Sequence, residues 1–94
     1  MFVITLRFAD KTKAPQRMDG HNAWIKKGFD DGVFLLVGSL QPNAGGVILA
    51  HNAELAEIEA RVQADPFVVE GVVSAEVLSI TPGRTDERFA FLKV

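Results

Sequence analysis

The spacing of apolar residues changes repeatedly along this chain, from alternate positions to every third or fourth and back, and that succession of periods restricts the folds open to it. Phe2, Ile4, Leu6 and Phe8 alternate with Val3, Thr5 and Arg7, the period of a strand with two unlike faces. The polar stretch from Ala9 to Ala14 ends that strand, and Pro15 suits the first turn of a helix, where its missing N–H has no intrahelical partner to lose. Met18, His21, Asn22, Ile25, Gly28, Phe29 and Gly32 then recur at spacings of three and four, with Arg17, Lys26, Lys27 and Asp30 largely between them. The spacing predicts an amphipathic helix that carries a histidine on its buried stripe and stops at Gly32.

Val33 to Leu40 reads as a second strand, Gln41-Pro42-Asn43-Ala44 as a turn, and Gly45 to Ala50 as a third strand completing a hairpin. Asn52 is positioned to cap a second helix over residues 53 to 64, in which Leu55, Ile58, Glu59 and Val62 share one face and Glu54, Glu57 and Arg61 point outward. Asp65-Pro66 breaks it, because proline disfavours a helical conformation in the residue before it. Phe67 to Gly71 is expected to form a turn or short helix leading into a fourth strand, Val72 to Ile80. A polar linker, Pro82 to Arg88, and an apolar tail, Phe89 to Val94, close the chain.

The resulting β-α-β-β-α-β order predicts an α+β, ferredoxin-like fold with both helices on one face of a four-stranded antiparallel sheet. The 94 residues leave no room for a second module, so residues 1–94 are expected to be one domain. Val33 to Val37 and Val47 to Ala50 are apolar at successive positions, so the sheet face without helices also needs cover. A homodimer packed sheet to sheet is the expectation, with the segment 81–94 a candidate for its interface.

Composition narrows the function. Ten Lys and Arg against 12 Asp and Glu give a net charge of -2, with no cationic concentration for a phosphate backbone, which argues against nucleic acid. The absence of cysteine excludes disulfides, zinc-thiolate sites and thiol nucleophiles. No apolar run approaches the roughly 18 residues of a membrane span, so no membrane partner is expected. Met1 leads straight into the alternating segment without the pattern of a secretory signal, and a cytoplasmic location is the expectation. No phosphate loop, dinucleotide fingerprint, HExxH or GxSxG occurs, and no cofactor or metal is expected.

With neither Tyr nor Cys, proton transfer near neutral pH falls to the histidines and to carboxylates in unusual surroundings. His51 follows the third strand and precedes Asn52, and reads as an exposed connector residue. His21 lies on the apolar stripe near Met18, Trp24 and Ile25, where an imidazole requires a partner. Asp65 is the candidate, because the end of the second helix can lie beside the first. A helix C-terminus is a poor place for a carboxylate, so Asp65 gains from a nearby histidine. So paired, Asp65 would orient His21 for general acid or base work and favour its protonated form. Ser39 can position a ligand oxygen, Trp24 and Phe67 can wall a flat ligand, and Arg7, on the other face of the first strand, can take an anionic group or an interface carboxylate. His21 and Asp65 alone are too few ligands for a metal.

The opening Phe2-Val3-Ile4, His21-x-x-Trp24, the strand from Gly32 to Gly38-Ser39, and Ala64-Asp65-Pro66-Phe67 followed by Gly71-Val72 together resemble the YciI-like, YCII-related family over nearly the whole length. The resemblance implies a dimeric α+β barrel of ferredoxin-like subunits with an active site on a histidine and an aspartate, which fall on His21 and Asp65. A related member dehydrochlorinates a chlorinated hydroxyhydroquinone, and muconolactone isomerases share the broader fold. Arg7, where a neutral or acidic residue is usual, and the short turn at 41–46 depart from the family pattern and bear on pocket size and charge. Three readings follow. One is a cofactor-independent lyase or isomerase of a small, aromatic-derived compound, with His21, Asp65 and Ser39 catalytic and Trp24, Phe67 and Arg7 binding substrate. The second is a non-catalytic dimer that binds a small ligand or assists a partner enzyme. In the third, His21 and Asp65 make only a core hydrogen bond.

Overall fold

The computed structural model describes residues 1–93. Strands β1 (Phe2–Phe8), β2 (Phe34–Leu40), β3 (Gly45–Ala50) and β4 (Val73–Ser79) form one sheet in the order β2-β3-β1-β4, every adjacent pair antiparallel. The helices are α1 (Ala14–Asp30), α2 (Leu55–Gln63) and the one-turn α3 (Pro66–Val69) that follows α2, and 3-10 turns occupy Lys11–Lys13 and Glu87–Leu92. This is the α+β, ferredoxin-like arrangement that the order of periods predicts.

The alternation in β1 divides the sheet as expected. Phe2, Ile4 and Leu6 are buried against the helices, where they meet Ile48 and Ala50 of β3 and Ile58 and Val62 of α2. Each such aliphatic side chain contributes about 1.5–3 kcal/mol on leaving water. Val3 points the other way, in register with Leu49 on one side and Leu78 on the other, and Leu36 continues the row beyond Leu49. Leu36 and Leu78 remain 47% and 45% exposed, so this row is an uncovered apolar band in the single chain.

Helix α1 begins with Pro15 in its first turn and ends two residues before Gly32, which takes φ +74°. Its buried residues are Ala14, His21, Trp24 and Gly28, whereas Met18 and Phe29, expected on the same stripe, are substantially exposed. The buried face is rotated toward Trp24 because that indole fills the space between α1 and α2, donating its Nε1–H to the Arg61 carbonyl at 2.9 Å. Arg61 also reaches back to Asp31 at 3.1 Å, fastening α2 to the end of α1.

Three expectations need correction in detail. Asn52 does not cap α2: it adopts φ +60°, and Glu54 occupies the cap position without a side-chain hydrogen bond. His51 is half-buried instead of exposed, its ring edge-on to Phe91 at 5.6 Å, because the 3-10 turns of the tail fold back to it. Asp65 follows Ala64, the C-cap of α2, but also caps α3, its side chain accepting from the Phe67 N–H, so it lies at the favourable end of a helix as well as near the unfavourable one.

Candidate functional site

His21 projects from the buried face of α1 toward the junction between α2 and α3, and meets Asp65 across 44 residues of sequence. Asp65 is placed there by Pro66. The proline disfavours continuation of α2 through residue 65, leaving Asp65 extended at φ -62°, ψ 124°. Gly20 lets the two elements approach, since a Cβ at that position would fall 3.1 Å from the Pro66 ring.

The pair is held on several sides. Asp65 Oδ1 accepts from His21 Nδ1 at 2.8 Å and from the Phe67 backbone N–H at 3.0 Å. The His21 imidazole lies parallel to the Phe67 ring, 3.9 Å away at an interplanar angle of 3°, and Trp24 stacks more distantly at 5.9 Å. Asp65 is fully buried and the His21 side chain is 11% exposed. Asp65 Oδ2 is buried without a hydrogen-bond partner among the described residues. Burial of a carboxylate is costly unless its oxygens are satisfied, so both bonds to Oδ1 matter to the stability of this junction.

A carboxylate only accepts hydrogen bonds, so His21 Nδ1 carries the hydrogen and the neutral ring has its lone pair on Nε2. Nε2 has no partner among the described residues and is not sealed from solvent. His21 lines a cavity of about 340 Å³ between α1 and the sheet, with Leu6, Phe8, Met18, Ile25, Val37 and Phe67 among its apolar walls. Its polar side chains are His21, Asn22 and Ser39; no Lys, Arg, Asp or Glu lines it. Gly46 stands in register between Leu6 of β1 and Ser39 of β2, and keeps the cavity floor free of a side chain there.

The structure therefore brings His21, Asp65, Phe67 and Ser39 to one place, Asp65 behind the imidazole and the other three in the cavity wall. Trp24 backs His21 from within the core and does not reach the cavity lining. Arg7 is exposed on the opposite side of the sheet, in register with Gly45 and Ser74, so within one chain it faces away from His21. The reason is the strand period: Leu6 and Phe8 face the cavity and Arg7 between them cannot. Asn22 is the lining residue that sequence reasoning passed over as a functional group. Its signal was its place at four residues from Met18 and three from Ile25, a polar side chain within a row that faces apolar space. Among the described residues, no group of three or more His, Cys, Asp or Glu side chains is placed to hold a metal ion.

Among solved structures, the chain resembles the 5-chloro-2-hydroxyhydroquinone dehydrochlorinase of Burkholderia phenoliruptrix AC1100, solved in complex with 2,5-dihydroxybenzoquinone, with a TM-score of 0.63 and 16% identity over 88% of this chain and 96% of that one. Such a likeness establishes the shared fold. No curated protein sequence matches this chain. No helix among the described residues is long and apolar enough to cross a membrane. The YCII-related domain model matches residues 1–81, and on that match the chain belongs to the YCII-related family.

Proposed function

We propose that this protein is a cofactor-independent lyase or isomerase of a small, oxygen-bearing ring compound, working in the cytoplasm as a homodimer. The observation that carries the reading is the division of labour at His21, whose Nδ1 is tied to buried Asp65 while its unpartnered Nε2 belongs to a side chain lining an apolar cavity. An imidazole held in that tautomer is a general base at Nε2, and such assistance is typically worth about a hundred to ten-thousandfold in rate. Nε2 takes a proton from the substrate. In an elimination, the leaving group departs with its bonding pair and a double bond forms; in an isomerisation, the imidazolium returns the proton to a second atom. Asp65 touches no substrate and positions the ring. Ser39 and Phe67 contribute to binding, as do the apolar walls. The dehydrochlorinase and its bound quinone supply a candidate ligand class.

The homodimer rests on the apolar row of Leu36, Leu49, Val3 and Leu78, which a second sheet would cover. Phe89 and Phe91, both 47% exposed in the tail, add apolar surface that a partner would cover, and Arg7 serves that interface in this reading.

The test combines His21→Ala and Asp65→Asn with binding of 2,5-dihydroxybenzoquinone and turnover of halogenated hydroxyhydroquinones. Folded variants that lose both are the expected result. Nitrogen NMR of the His21 ring should show hydrogen on Nδ1 in the wild type and loss of that single tautomer in Asp65→Asn. A second reading, binding without turnover, has in its favour that Asp65 also caps α3 and so has a structural task. A ligand bound by the wild type and recovered unchanged after long incubation supports it, while unfolding of both variants assigns the pair to the core alone.

A further inference from the structure

Three polar side chains converge on one apolar cavity without partners of their own. His21 Nε2 is one. The other two are Ser39, at the end of β2, and Asn22, one residue beyond His21 on α1; both are solvent-exposed, and neither side chain makes a hydrogen bond among the described residues. Asn22 lies in the row Met18, Asn22, Ile25, which lines the cavity at helical spacing, and its side chain is solvent-exposed, so the amide is open to a ligand entering there. Preformed small-molecule sites are commonly apolar with a few placed polar groups that fix orientation, and these three are the polar side chains this cavity has.

Removal of a proton from a hydroxyl or an activated carbon leaves negative charge on a substrate oxygen. Apart from the imidazolium that His21 becomes, the cavity offers no cation to receive it. Of its groups, the Asn22 amide and the Ser39 hydroxyl can donate to such an oxygen, one from the helix wall and the other from the sheet wall.

We propose that Asn22 and Ser39 form an uncharged clamp for the ligand oxygen that becomes negative when His21 takes the proton. The proposal rests on the proton-transfer reading above and adds to it a class of ligand: a ring compound whose reacting oxygen is an enol, phenol or quinone oxygen, without a carboxylate or phosphate that would demand a cationic side chain in the same cavity. Asn22 enters as a binding residue for charge, where the sequence offers no motif.

The experiment is a titration of 2,5-dihydroxybenzoquinone and of its O-methylated analogue into wild type, Asn22→Leu, Ser39→Ala and His21→Ala, with circular dichroism and thermal melts as controls for folding. Asn22→Leu should weaken the hydroxylated ligand by roughly ten to a hundredfold, the loss expected of a hydrogen bond to a charged oxygen. It should change affinity for the methylated analogue much less, which a merely structural role would not do. Asn22→Asp, of the same size but lacking the amide donor, should weaken the hydroxylated ligand at least as far. If the wild type binds the hydroxylated ligand and His21→Ala weakens it, while Asn22→Leu and Ser39→Ala bind as the wild type does, the clamp is overturned and the reading of His21 stands. If the wild type binds neither compound, the ring-binding reading fails and the clamp fails with it.

Discussion

The imidazole of His21 and the ring of Phe67 lie parallel at 3.9 Å, and the same Phe67 gives its backbone N–H to Asp65, the residue that holds the imidazole. One short segment, Asp65-Pro66-Phe67, thus fixes the histidine from its edge and from its face. Phe67→Ala should destabilise the protein by roughly 3–5 kcal/mol, as removal of a buried aromatic ring generally does. Phe67→Leu, which keeps most of the volume and loses the stacking, should cost about 1 kcal/mol. Urea unfolding of the two variants measures both, and a Phe67→Leu variant as stable as the wild type would show that stacking adds nothing to volume.

Removal of the Asp65 carboxylate leaves the Phe67 N–H and His21 Nδ1 without their acceptor in a buried place. Asp65→Ala should therefore be less stable than Asp65→Asn by roughly 1–3 kcal/mol, because the amide oxygen can still cap α3. Denaturant midpoints at neutral pH compare them; the two variants unfolding together would mean that the cap contributes little.

Gly28 faces Phe34 so closely that a Cβ at residue 28 would overlap the aromatic ring. Alanine is the better helix former by nearly 1 kcal/mol, yet Gly28→Ala should destabilise by about 1–3 kcal/mol, since overpacking outweighs propensity here. Combining Gly28→Ala with Phe34→Leu should recover part of the loss. Simple additivity of the two changes, read from thermal unfolding, would remove the contact from the explanation.

The Asp31 carboxyl is held below its ordinary value of 3.8 by its hydrogen bond from Lys27 and then by that from Arg61. A depressed carboxyl stabilises the fold above the unfolded value and loses that contribution as pH falls through the folded one. The stability difference between wild type and Asp31→Asn should accordingly be constant near neutrality and shrink as the medium is made more acid than pH 3.8. A difference that stays constant into strong acid would exclude the charge as its source.

Leu36 stands at the end of the apolar row on the open sheet face. Sedimentation at micromolar concentration should give a dimer for the wild type and predominantly monomer for Leu36→Glu, with unchanged circular dichroism. A wild type that sediments as a monomer under these conditions overturns the proposed assembly.

Local sequence determined the elements of this protein. The alternation from Phe2 to Phe8, Pro15 at the start of α1 and the Asp65-Pro66 break act through backbone conformation and periodicity within a few residues, so they mark strands, helix and interruption wherever the chain goes. Which face of β1 would be buried was legible too, and with it the position of Arg7 opposite Leu6. Tertiary structure decided the rest. His21 and Asp65 are 44 residues apart, and only the packing of α1 against the α2–α3 junction makes their separation 2.8 Å. The rotation of α1 toward Trp24 and the capping of α3 by Asp65 depend on how volumes fill the space between elements. Periodicity limits which side of a helix faces inward to a broad arc; the neighbours that fill that arc select among the residues within it.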